Sequence, residues 1–148
     1  MRALLLLLLL GVVPTWAEGA FGLWKMNPGR STLLTDRQPR SLMLRIEPHA
    51  NGEVFTLDRV ERDGRATSDS TILYLDGKPR DFQDVGCSGT QSSQRVDNRT
   101  VEILRSCTTG EWTRYVRRLT TPCKLVLEIT ARQPDGRRAE RRLVLEKQ

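Results

Sequence analysis

The residues best equipped for chemistry are three cysteines (Cys87, Cys107, Cys123), one histidine (His49) and an alternating, arginine-rich stretch from Glu111 to Leu119. Alternation in a strand sends successive side chains to opposite faces. One face of this stretch carries Trp112, Arg114, Val116 and Arg118; the other carries Thr113, Tyr115 and Arg117. With the first face inward, Arg114 would hold an acidic head group while Trp112 and Val116 contact an apolar tail. With the second face inward, Tyr115 is a core residue and the first face's arginines are solvated. The candidate ligand-binding set is therefore Trp24, Trp112, Arg114, Val116 and Arg118.

Catalysis finds no comparable constellation. His49 follows Pro48 at a turn, with no serine or cysteine motif placed to use it. The chain has no Gly-x-Ser-x-Gly, no phosphate loop and no His/Glu metal spacing. Asp81 and Asp84 stand at a loop edge, where solvated charge explains them better than a glycosidase pair. We assign no catalytic residue, expect no cofactor or metal, and read the chain as a non-enzyme.

The cysteines read differently. Asp97-Asn98-Arg99-Thr100 is a turn between two strand-like runs, and folding the runs about it places Cys87 near Cys107 if residues 86–90 bulge. Cys123 follows a further turn, Thr120-Thr121-Pro122. It lies a strand of about 25 Å from Cys107, beyond the reach of a disulfide within one hairpin. The expected pair is Cys87–Cys107, leaving Cys123 as the odd thiol.

A disulfide suits an exported chain, and the first residues point the same way. Arg2 precedes seven leucines, Leu4 to Leu10, and Thr15 and Ala17 stand at −3 and −1 of a cleavage site. This reads as a signal peptide over 1–17, cleaved after Ala17, with a secreted or periplasmic product. The apolar run is too short to span a bilayer as a helix. Residues 18–148 are expected to form one monomeric domain.

Past residue 18, short alternating segments are broken by Asn51-Gly52, Asp63-Gly64, Asp76-Gly77, Thr109-Gly110 and Asp135-Gly136. Leu42, Leu44 and Ile46 share one face, as do Phe55 and Leu57, Val101 and Ile103, and Leu125, Leu127 and Ile129. Period-2 patterning with short connections predicts an antiparallel meander. About 8–10 such strands favour closure into an up-and-down β-barrel, all-β, with a β-sandwich as the alternative. Trp24, in a short first strand, would plug the closed end.

The string Gly22-Leu23-Trp24-Lys25-Met26-Asn27-Pro28-Gly29-Arg30-Ser31, then Pro39-Arg40-Ser41, resembles a group of small secreted bacterial proteins of unassigned activity that are taken to be lipocalin-like. Asp63-Gly64-Arg65, Leu75-Asp76-Gly77-Lys78-Pro79, Arg95 to Glu102 and Leu145 to Gln148 continue the resemblance, mainly at turns and ends. The chain departs from the group at Arg30, where Lys is usual, at Thr121-Pro122-Cys123-Lys124, and in its cysteines. The resemblance implies the barrel fold and export.

The balance of 24 basic against 18 acidic residues gives +6, and lysine occurs only at 25, 78, 124 and 147. Export argues against nucleic acid as the partner. The expected function is binding of a small apolar or amphipathic, possibly acidic, molecule inside the barrel. The alternative is an envelope or extracellular interaction module without a pocket, using Arg132, Arg137, Arg138, Arg141 and Arg142 around Asp135-Gly136 to meet an anionic surface or a protein partner.

Overall fold

A computed structural model describes residues 19–33, 39–84 and 86–148, so the leader expected at 1–17 lies outside the described residues. The strands are β1 (Gly22–Met26), β2 (Thr32–Leu33), β3 (Ser41–His49), β4 (Gly52–Val60), β5 (Ala66–Leu73), β6 (Arg80–Asp84), β7 (Cys87–Arg95), β8 (Thr100–Cys107), β9 (Trp112–Thr121), β10 (Lys124–Arg132) and β11 (Arg138–Lys147). Ten lie edge to edge in the order β5-β4-β3-β1-β11-β10-β9-β8-β7-β6, all antiparallel, and β2 pairs with β11 off this path. The result is a nearly closed all-β barrel. The sandwich alternative is set aside because β1 pairs with both β3 and β11, so the first and last long ladders join one continuous sheet.

Alternation decides which face is inside. Leu42, Leu44 and Ile46 of β3, Phe55 and Leu57 of β4, Val101 and Ile103 of β8, and Leu125 and Leu127 of β10 are all buried in one core. Each such side chain taken out of water contributes roughly 1.5–3 kcal/mol before conformational entropy is charged against it. At Asn51-Gly52 the chain needs glycine. Gly52 has φ +149°, and a Cβ there would stand 1.9 Å from the carbonyl oxygen of Leu73.

One connection departs from the expected meander. Among the described residues no ladder joins β5 to β6, so the barrel has a seam. The chain between them leans on β7 instead. The Leu75 amide donates to Ser93 Oγ (3.0 Å) and the Gly77 amide to the Ser93 carbonyl (2.8 Å), and Asp76 bridges Gln94. Leu75 takes a left-handed backbone (φ 60°) to make this crossing, a conformation that costs a non-glycine residue energy and persists only where its surroundings fix it. Pro79, which cannot donate to a ladder, stands just before β6.

Cys87 and Cys107 form a disulfide with a Cα separation of 5.3 Å. The expected bulge is not needed: β7 and β8 run in unbroken register from Gly89↔Cys107 to Arg95↔Val101, which leaves Cys87 diagonal to Cys107. Cys123 is free, on the exposed β9–β10 turn.

Candidate functional site

The two ends of the barrel differ. At the end carrying the 49–52 and 121–124 turns, Trp24, Leu73, Leu119 and Leu125 are buried and seal the lumen. The Trp24 indole N–H donates to the Ala20 carbonyl (2.9 Å), satisfying its one polar atom. Trp24 is thus buried at the closed end, where the first strand's sequence places it, and lines neither lobe of the cleft described below.

The interior also holds charge. Arg117 of β9 and Glu53 of β4, strands on opposite sides of the ring, form an ion pair across the lumen with side-chain exposures of 3% and 2%. A charge pair this dry holds only if each partner supplies what water would have supplied. Nearer the mouth, Arg105 of β8 donates through Nε to Gln91 Oε1 (2.8 Å) and through Nη1 to Asp69 (3.3 Å), with Asp84 at 3.7 Å. Its guanidinium carbon lies 4.4 Å from the Phe82 ring centroid and 5.3 Å from that of Tyr115. Asp69 belongs to β5 and Asp84 to β6, so Arg105 ties together the two strands that share no ladder. Gln91 of β7 adds a tie across the seam, donating to Thr71 Oγ1 of β5 (3.0 Å).

The opposite end is open. A cleft of roughly 230 Å³ runs inward past Leu57, Ile129 and Leu143, with Arg59 and Arg141 among its polar lining. A second lobe of roughly 260 Å³ is lined by Arg105, Asp84 and the two disulfide cysteines. Thr113, Tyr115, Ala131 and Gln133 line both lobes, so they form one forked opening. Each lobe is below the usual ligand-pocket range of about 300–1,000 Å³. The space suits a short chain or a compact molecule. A third, more open hollow of roughly 350 Å³ lies over the seam beside Tyr74 and Phe82.

The predicted binding face on β9 points the other way. Register places Tyr115 between Ile103 and Ile129, and Arg117 between Val101 and Leu127. These apolar neighbours draw Thr113, Tyr115 and Arg117 inside and send Trp112, Arg114, Val116 and Arg118 outside. Arg114 is exposed and ion-paired to Glu102 through Nε at 2.8 Å, Arg118 is exposed, and Val116 and Trp112 are half-buried on the outer surface. Arg114 and Arg118 therefore do not hold a ligand in the lumen. The residues missed were Arg105, Arg117, Glu53 and Gln91. Glu53 shares its face with Phe55 and Leu57, and Arg105 shares its face with Val101 and Ile103, so parity marked both as inward.

Of the hairpin arginines, Arg132, Arg137, Arg138 and Arg142 are exposed and Arg141 is half-buried at the cleft. Arg137 is paired with Asp135 and Arg142 lies opposite Glu128. Asp81 is exposed while Asp84 faces Arg105, so the two carboxylates do not converge. His49 Nδ1 accepts the Asn51 amide (3.1 Å), a turn role. Among the described residues no group of three or more His, Cys, Asp or Glu is placed to hold a metal ion, and no helix is long and apolar enough to cross a membrane.

This architecture is that of an antiparallel up-and-down β-barrel. No family model and no curated protein sequence matches the chain. Solved structures do. A fatty acid binding protein of Schistosoma mansoni, solved in complex with arachidonic acid, superposes with a TM-score of 0.59 at 10% identity, covering 89% of this chain and 98% of that one. As-p18, an extracellular fatty acid binding protein, gives 0.56 at 12%, covering 88% and 97%. A point mutant of the fluorescent protein UnaG gives 0.55 at 18%, covering 88% and 97%. These likenesses show the fold.

Proposed function

We propose that this chain is an exported binding protein, not an enzyme, that holds one small apolar or amphipathic molecule in the open end of its barrel. One observation carries the reading. Leu57, Ile129 and Leu143 lie along a cleft whose polar lining includes Arg59 and Arg141, in a barrel whose opposite end is filled by buried Trp24, Leu73, Leu119 and Leu125. An apolar tail would rest on the leucines and isoleucine, and an acidic head group would meet the arginines. The volume favours a short tail. The neighbours' names lend support: two are fatty acid binding proteins and one was solved with a fatty acid. Export is supported by the Arg2–Leu10 run, the small residues before Glu18 and a disulfide in the barrel wall. The Gly-x-Trp-Lys-x-Asn stretch supports kinship with the small secreted bacterial group.

Native mass spectrometry of protein purified from its own export route, before and after organic extraction, tests this. The expected result is a co-purifying mass that extraction removes, on a chain beginning at Glu18 and two hydrogens lighter for one disulfide. Decanoate should displace a fluorescent apolar dye from the wild type, and Ile129→Trp, which fills the cleft, should take up at least tenfold less dye. Equal dye uptake by the filled variant would refute the pocket.

A further inference from the structure

The mouth of the barrel carries a charge arrangement that the sheet itself does not explain. In the β10–β11 ladder Arg132 lies directly opposite Arg138, and in the β9–β10 ladder Trp112 lies on the other side of Arg132. The three form one row across the outer face at the open end, with the Arg138 guanidinium carbon 5.5 Å from the Trp112 ring centroid. Like charges directly opposite each other across strands destabilise a sheet. Elsewhere on the outer face, Arg114 binds Glu102 and Arg45 binds Asp58 at 3.1 Å, Arg142 lies opposite Glu128, and Arg118 lies opposite Val126 and Thr100, so no second arginine is set against it. Among the described residues Arg132 and Arg138 enter no ion pair, although the nearby Asp135 is engaged by Arg137. Glu140, opposite Thr130, and Glu111, next to Trp112 in the chain, are the carboxylates closest along these strands.

We infer that the Arg138–Arg132–Trp112 row is a docking surface for an anionic lipid bilayer, placed so that docking sets the barrel's mouth against the head groups. Two cations and an indole side by side match a membrane–water interface, where lipid phosphates meet arginine and the amphipathic Trp ring sits at head-group depth. Arg132 also lines the second lobe of the cleft, so the row is continuous with the opening. Choosing lipid over another polyanion rests on the ligand-binding reading, since a molecule with an apolar part is drawn from, and returned to, a lipid phase.

The test is co-sedimentation of the full exported chain with mixed phosphatidylglycerol–phosphatidylcholine vesicles and with pure phosphatidylcholine vesicles, at low and at physiological salt. Binding is expected to the mixed vesicles alone and to weaken with salt. The double variant Arg132→Gln/Arg138→Gln should bind on the order of thirtyfold more weakly, at about 1 kcal/mol per arginine near an anionic surface. Lys78→Gln/Arg95→Gln removes the same charge at the sealed end and should stay within about threefold of wild type. An equal loss in both double variants would reduce the effect to net charge and overturn the inference. Binding to dextran sulfate without binding to the vesicles would overturn it in favour of a polysaccharide. Dye uptake in solution separates the two readings. It should be unchanged in Arg138→Gln, which lies outside the lining of both lobes, and loss of uptake there would place this arginine in the ligand site instead. A wild type that binds mixed vesicles but takes up no dye would sustain the docking row and remove the pocket.

Discussion

The Arg117–Glu53 pair gives the sharpest test of the barrel interior. Both side chains are almost fully removed from water, and they come from strands on opposite sides of the ring. Replacing Arg117 with Met leaves a carboxylate in the lumen without its counter-charge. Breaking a buried pair by removing one partner costs about 3–5 kcal/mol, whereas replacing both with apolar groups of similar volume is often neutral or stabilising. Arg117→Met and Glu53→Leu should each lower stability by about 3–5 kcal/mol, with a fall in Tm on the order of 10–20 °C for a domain of this size. The double variant should return to within about 1 kcal/mol of wild type, a strongly favourable coupling for a cycle of this kind. Urea denaturation followed by tryptophan fluorescence reads it directly, because Trp24 reports the sealed end. Two single variants that each lose less than about 1 kcal/mol, and a double variant that loses their sum, would show that the pair is neither dry nor coupled.

Two further outcomes follow from the wall and the turns. Removing the Cys87–Cys107 disulfide, which spans 20 residues, should cost about 3 kcal/mol by loop-closure entropy, and Cys87→Ser/Cys107→Ser should show it as a lower urea midpoint with little change in slope. A variant as stable as the oxidised wild type would mean the β7–β8 ladder alone holds this end. Acid should destabilise the protein. The Arg80 side chain and the Lys78 amide hold Asp76 well below the usual carboxylate range, and hydrogen bonds from the Arg99 amide, the Arg137 amide and the Ser68 hydroxyl lower Asp97, Asp135 and Asp58 in turn. Depressed folded values give stability that is present above the unfolded value of about 3.9 and is lost as pH falls through the folded values. Tm should therefore fall most steeply below about pH 4, and a Tm that rises on acidification would contradict the assignment.

The barrel itself was legible because its signals are local. Period-2 alternation at Leu42-Leu44-Ile46 or Leu125-Leu127-Ile129 needs no knowledge of partners, and Asn-Gly and Asp-Gly turns limit which strands can be neighbours. The Cys87–Cys107 pairing came from folding two runs about one turn. Parity failed at β9, where the sequence alternates arginine with arginine. Trp112-Thr113-Arg114-Tyr115-Val116-Arg117-Arg118 offers a cation on both faces, so composition cannot orient the strand. Only the flanking Ile103 and Ile129 decide that Tyr115 and Arg117 go inside.

By itself, then, the sequence determined the class of fold, the place of most turns, the disulfide and the plug at Trp24, all set by patterns spanning a dozen residues or fewer, or by two strands about one turn. Tertiary structure alone decided the rest. The seam between β5 and β6 is defined only by how the ladders run around the whole ring. Arg105 reaches Asp69 and Asp84, and Arg117 reaches Glu53, only because strands far apart in the chain curl to face each other. A charge can be buried only where its counter-charge is waiting, and where that is depends on closure of the whole barrel.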